Sequence, residues 1–246
     1  MIEREFSVGE SVSVKVAIRS GRVAVETGEP GLVSVSVDTH DPTFDVRQRG
    51  GAIVAWGERG GRSYVTMRVP PLTDVEASTA SGDVSIVPRL GRLEVASASG
   101  DIAFDSVRRL QAKTGSGSVR GNTVEGEARC ITASGDIRIA QLLERADLST
   151  ASGDITVERC AGVISCATLS GDIRVGELTG PSLSVKSMSG GVRIGIPSRT
   201  RVNLDANTFS GRVVLPAPNP SPEPPEREIT ARVRLVSGDL RIDRAD

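Results

Sequence analysis

One short phrase recurs along this chain and constrains its fold more than any other feature. Ser-Gly-Asp followed by Ile or Val appears at Ser81-Gly82-Asp83-Val84, Ser99-Gly100-Asp101-Ile102, Ser134-Gly135-Asp136-Ile137, Ser152-Gly153-Asp154-Ile155 and Ser170-Gly171-Asp172-Ile173. Relaxed copies stand at Ser116-Gly117-Ser118-Val119, Ser189-Gly190-Gly191-Val192, Ser210-Gly211-Arg212-Val213 and Ser237-Gly238-Asp239-Leu240, with an outlier at Ser20-Gly21-Arg22-Val23. From Gly82 to Gly190 the corner glycines are 17 to 19 residues apart. Self-similarity at a fixed short period marks a repeat architecture, in which each unit is one supersecondary element.

With each glycine counted as zero, the flanking residues fall into columns. Position −5 holds Ala77, Val95, Ala112, Cys130, Leu148, Cys166 and Val185, and position +2 holds Val84, Ile102, Val119, Ile137, Ile155, Ile173 and Val192. Position −3 is Thr or Ser in every unit, from Thr79 to Ser187. Apolar residues alternate with polar or small ones on both sides of the glycine, so each unit reads as strand, tight corner, strand. One such unit cannot bury its own apolar face; units stacked at about 4.8 Å per coil can. The expected fold is therefore all-β: a parallel β-solenoid of roughly 18-residue coils over residues 71–215. A hairpin array would need longer arms, and a β-propeller a period nearer 40 residues.

The flanks differ from the array. Residues 1–70 alternate strongly, as in Val12-Ser-Val-Lys-Val16 and Val33-Ser-Val-Ser-Val37, but less regularly, and they read as an antiparallel or mixed β cap. Residues 216–246 open with Pro216-Ala-Pro-Asn-Pro-Ser-Pro-Glu-Pro-Pro225, an extended and solvated stretch. The charged coil that follows, Ile229 to Ile242, is expected to be the terminal cap, facing water.

Composition narrows the function. A net charge of −1 and 2% aromatic residues argue against nucleic-acid binding, which calls for basic patches and stacking rings. No run of about 18 apolar residues exists to span a membrane, and the N-terminus lacks the apolar core of a signal peptide. A cytoplasmic location is expected, with envelope association through a partner as the alternative.

Candidate chemistry is sparse. Asp136, Asp154 and Asp172 fall on three consecutive coils, so their carboxylates would lie about 5 Å apart along one corner, close enough to share a calcium ion. Turn chemistry explains the same residues more simply, with Asp and Ser bonding nearby backbone and Gly supplying the unusual dihedral. The Thr/Ser column is either an exposed ladder for a flat lattice or glycan, or an internal ladder of hydroxyls. Cys130 and Cys166 share one inward column two coils apart, beyond disulfide reach, and read as small buried hydrophobes. The single histidine, His40, sits in a Thr-His-Asp-Pro turn. No nucleophile elbow, phosphate loop or zinc-protease motif is present, so no catalytic residue and no cofactor is assigned.

The serial Ser-Gly-Asp-Ile/Val corners from Ser81 to Ile173, with Thr or Ser at −3, resemble the bacterial β-strand-repeat adhesin-like family, the toast-rack domain, over about residues 70–215. That resemblance implies a stacked β-solenoid, no established catalytic activity and a role tied to the bacterial envelope or its stress sensing. The function expected here is a non-enzymatic scaffold that binds an as yet unidentified protein, with end-to-end or wall-to-wall association of copies among the possibilities. An envelope adhesin or sensor and a glycan-active enzyme are the alternatives.

Overall fold

The computed structural model describes all residues except 10–11, 58–60, 217–223 and 246. The fold is an all-β, predominantly parallel solenoid, with 22 strands and no helix among the described residues. The chain packs as two compact units, Met1–Asn122 and Thr123–Asp246.

The second unit is the more regular. Ala128–Thr132, Arg145–Thr150, Val163–Ser170 and Ser182–Ser189 pair in parallel as one wall. Ile137–Leu142, Ile155–Cys160, Ile173–Leu178 and Val192–Pro197 pair in parallel as the other. The register is one repeat: Ala128 faces Ala146 and Ile137 faces Ile155. The column at −5 (Cys130, Leu148, Cys166, Val185) and the column at +2 (Ile137, Ile155, Ile173, Val192) are all at most 2% exposed. Burying each large aliphatic side chain contributes about 1.5–3 kcal/mol, and only stacking makes that burial complete.

In the first unit Asp74–Ile86, Leu90–Ser97 and Ile102–Thr114 form the same parallel coils. Position +4 of the coil after Phe104 is Gly121, and a Cβ there would lie 2.0 Å from the Phe104 ring. The large ring fills the space that the missing side chain leaves. The outlying Ser20-Gly21 copy belongs to this stack: Ser13–Thr27 runs parallel to Asp74–Ile86, with Gly21 opposite Gly82. On its other side Ser13–Thr27 pairs with Ala52–Trp56 and Arg62–Val69. The remaining strands there are antiparallel: Asp45–Arg49 on Ala52–Trp56, Leu32–Thr39 on Arg62–Val69, and Ile2–Ser7 on Leu32–Thr39. The mixed β expected of residues 1–70 is present, but one of its strands is a solenoid coil.

The C-terminus departs from expectation. The coil at 229–242 is not a terminal cap. Arg227–Ser237 pairs with Ser182–Ser189 on one side and with Thr200–Ser210 on the other. Leu240–Ala245 likewise lies between Val192–Pro197 and Val213–Val214. The outermost rung is Thr200–Ser210, and the chain returns after the proline-rich stretch to fill the rung it skipped. The physical reason is burial. Ile229, Ala231 and Val233 are fully buried, whereas Val202, Leu204 and Ala206 are only half-buried. The charge that suggested a cap (Arg232, Arg234, Arg241) lies on the outward side of an interior rung, where Arg234 makes a bidentate ion pair with Asp205 at 2.6 and 2.9 Å.

Candidate functional site

The Asp column is brought together as expected, and its role is visible. Asp154 donates its backbone N–H to Asp136 Oδ1 at 2.9 Å, Asp172 donates to Asp154 Oδ1 at 2.9 Å, and Gly191 donates to Asp172 Oδ1 at 2.7 Å. The first unit repeats the device from Asp101 to Asp83 Oδ1 (3.1 Å) and from Ser118 to Asp101 Oδ1 (2.8 Å). Arg212 bonds Asp239 Oδ1 in the same way at 2.8 Å. Each carboxylate therefore ties its own corner to the amide of the next coil. This is turn chemistry, but it acts between coils rather than within one. Arg138 lies 2.8 Å from Asp136, and Arg120 lies 3.2 Å from Asp101, each partly offsetting the like charges. Among the described residues no group of three or more acidic, His or Cys side chains is arranged to hold a metal.

The corner glycine is required mainly by close approach. A Cβ on Gly100 would lie 1.9 Å from Gly82 O, and one on Gly153 2.2 Å from Gly135 O. No side chain fits between coils stacked that tightly. A left-handed φ appears only at some corners, such as Gly171 (153°) and Gly190 (133°), so unusual dihedrals explain only part of the glycine column.

The Thr/Ser column is internal. Thr132, Thr150, Thr168 and Ser187 are at most 4% exposed. In the earlier corners the hydroxyl caps the turn: Gly82, Gly100, Gly117 and Gly135 donate their N–H to Thr79, Ser97, Thr114 and Thr132 at 2.7 to 3.1 Å. From Gly171 onward the corner changes. Gly171 donates instead to Ser189 O, Gly190 to Ser237 O and Gly238 to Ser210 O. Thr168 Oγ1 and Ser187 Oγ are left without a partner among the described residues.

That change exposes the feature residue types did not reveal. Position −2 is Ala133 and Ala151 in the first two coils of this unit, but Leu169, Met188, Val236 and Phe209 in the next four. The pairings place these four on consecutive rungs in that spatial order. Leu169, Met188 and Val236 are about half exposed, and Phe209 is 91% exposed. Together with Ala167, Lys186 and Arg234 they line a shallow groove of about 550 Å³. The signal was present in the sequence as a column that switches from Ala to large apolar residues, but C-terminal threading hid which rungs are adjacent.

The remaining candidates are absorbed by the fold. Cys130, Leu148 and Cys166 stack in that order, so a leucine separates the two thiols. Burial pushes Cys130 up to about 12 and raises Cys166 further, which makes both poor nucleophiles and poor metal ligands. Burial also raises Cys160, against a backbone hydrogen bond from Gly162 that acts the other way. His40 is exposed, while the neighbouring Asp41 is buried and accepts hydrogen bonds from Thr43 N and Oγ1 at 2.8 and 2.6 Å. No helix among the described residues is long and apolar enough to cross a membrane.

Comparison with known proteins agrees with this architecture. The Toastrack DUF4097 family matches residues 32–243. A structure from Parabacteroides distasonis solved as a "putative adhesin" is 14% identical, with a TM-score of 0.54, over 98% of this chain and 96% of its own. A second structure from the same organism, solved as a "putative lipid binding protein", is also 14% identical, with a TM-score of 0.56 over the same shares. Likeness at this identity establishes the fold. No curated protein matches the chain.

Proposed function

We infer that this chain, which belongs to the Toastrack DUF4097 family, is a non-enzymatic scaffold whose stacked wall binds another protein. The observation that carries the reading is the apolar column Leu169, Met188, Val236 and Phe209. The fold does not need these side chains, because coils with Ala133 or Ala151 at the same position stack in the same register. Contiguous exposed apolar surface without a packing role marks an interaction site. The carboxylates that would be first choice for catalysis are meanwhile engaged as inter-coil acceptors.

A photoreactive residue placed at Met188 in the native host tests this. One discrete protein adduct is expected at Met188. It should be absent when the probe sits at Ala133 and lost when Leu169 and Val236 are both changed to Ser. Matching adduct patterns at Met188 and Ala133, or none at either, would overturn the reading. Lys186 beside the column gives a second reading specific content: an anionic lipid surface, and one similar structure is named as a lipid binding protein. Co-flotation with phosphatidylglycerol vesicles, sensitive to Lys186→Glu, would favour it. We place the protein in the cytoplasm, reaching the envelope through its partner. Recovery only in the envelope fraction would favour the adhesin role that the other similar structure's name carries.

A further inference from the structure

The outermost rung poses a question separate from the groove. Among the described residues Thr200–Ser210 is paired on one side only, by Arg227–Ser237. Its inward side chains Val202, Leu204 and Ala206 are half-buried, where those of the next rung are sealed. An eleven-residue edge strand with open backbone groups is a template for another strand, and natural proteins blunt or cover such edges.

The strand's own sequence says what fits it. Thr200-Arg-Val-Asn-Leu-Asp-Ala-Asn-Thr-Phe-Ser210 is patterned almost symmetrically about Asp205. Laid antiparallel on a copy of itself with Asp205 opposite Asp205, Leu204 meets Ala206, Asn203 meets Asn207 and Val202 meets Thr208. Arg201 then meets Phe209, and Thr200 meets Ser210. Residues opposite one another in an antiparallel pair share a face, so the apolar positions meet inside and the amides meet outside. In this register Asn203, whose amide also donates to Glu228 Oε1 of its own chain at 2.7 Å, comes within hydrogen-bonding reach of Asn207, and Arg201 comes over the ring of Phe209, which is 91% exposed. The like charges at the centre are already countered, since each Asp205 is held by its own Arg234 at 2.6 Å and by Arg232 at 3.5 Å. A surface complementary to itself about a two-fold axis is the requirement for a closed dimer.

We propose that Thr200–Ser210 is the interface of a two-fold symmetric homodimer, formed by antiparallel pairing of this strand with the same strand of a second copy. It occupies the sheet edge and shares only Phe209 with the apolar column, leaving Leu169, Met188 and Val236 of each copy outside the paired backbone, so it stands whether or not those three bind a protein.

Sedimentation of the whole chain tests it with two charge variants. The wild type is expected to sediment as a dimer at tens of micromolar. Asn203→Lys with Asn207→Lys should be monomeric, as should Asn203→Asp with Asn207→Asp, because each places like charges opposite one another and weakens association by at least about tenfold. Mixed together, the two variants should form a heterodimer, since antiparallel pairing about Asp205 sets 203 of one copy against 207 of the other with opposite charges. The rescue also shows that both variants fold. A monomeric wild type, variants that stay dimeric, or monomeric variants that fail to associate on mixing would each overturn the proposal.

Discussion

Replacing Asp154 with Ala should lower stability, and the structure supplies both the size and the competing effect. Asp154 Oδ1 accepts the backbone N–H of Asp172 at 2.9 Å, on the exposed side of the corner. A hydrogen bond to a charged acceptor contributes about 1.5–3 kcal/mol, and solvent access places this one near the lower end. Opposing it is repulsion from Asp136 and Asp172, one coil to either side. Two unit charges about 4.8 Å apart in water repel by about 0.9 kcal/mol; physiological salt roughly halves that, and the two neighbours together bring it back to about 0.9 kcal/mol. The ladder bond loses its acceptor in Asp154→Ala, so that variant should be less stable by about 1 kcal/mol net of the relieved repulsion. Its melting temperature should fall by about 2–4 °C for a chain of this size. Asp154→Asn keeps an acceptor oxygen and sheds the repulsion, so it should stay within about 0.5 kcal/mol of the wild type. Thermal melts followed by circular dichroism in 0.15 M and 1 M salt would separate the terms. The deficit of the Ala variant should persist at high salt, whereas any advantage of the Asn variant should shrink. If Asp154→Ala melts at or above the wild type, or no lower than Asp154→Asn, the ladder is not what the carboxylates contribute.

Other consequences can be measured on the same protein. Gly153→Ala would set a Cβ 2.2 Å from Gly135 O and should destabilise by about 3 kcal/mol, seen as a lower urea midpoint or loss of soluble product. Because burial raises Cys130 from 9.0 to about 12, its unfolded thiol ionises first. Its contribution is complete below pH 9 and is lost as pH rises from there toward 12, so Cys130→Val should flatten the fall in urea midpoint between pH 8 and 10.5. Millimolar calcium should leave the melting temperature unchanged if the Asp column serves only as backbone acceptors; a saturable rise would show that a cation binds there.

How much of this the sequence reveals depends on which interactions are local. Period and column identity follow from residues such as Ile137, Ile155 and Ile173, each of which occupies the same place in its own coil and needs only its neighbours to be buried. The Ser-Gly-Asp corner is legible as a turn for the same reason. Its inter-coil bond is not, because Asp154 reaches the amide of Asp172, 18 residues away, and that geometry exists only once coils stack. The change of corner at Gly171 is subtler. Ser170-Gly171-Asp172 reads like Ser152-Gly153-Asp154, yet Gly171 takes a left-handed φ, its N–H turns to Ser189 O, and the Thr168 hydroxyl stands unpaired among the described residues. No residue of the Ser-Gly-Asp corner itself announces it. Large apolar side chains at Leu169 and Met188 accompany it, and they are the trace that a column-by-column reading could find.

The two threaded ends follow one logic. A solenoid that added its rungs strictly in order would end on its last residues, and that rung could fray alone, held by one neighbour. Here Arg227–Ser237 enters between two rungs that precede it in the chain, and Ser13–Thr27 stands inside strands that follow it. The most apolar terminal segments thus gain two neighbours each: Ile229 and Val233 at one end, Val14, Val16, Val23 and Val25 at the other, all at most 2% exposed. The outer positions fall to strands richer in polar residues. Those are Thr200–Ser210, with Asn203, Asp205 and Asn207 outward, and Ile2–Ser7, with Glu3, Arg4 and Glu5 exposed. Burial is therefore allotted by hydrophobicity rather than by chain order. The cost is a long-range closure, which slows folding more than it limits stability. It leaves at the C-terminal edge a strand polar enough to remain soluble alone and regular enough to pair with a copy of itself.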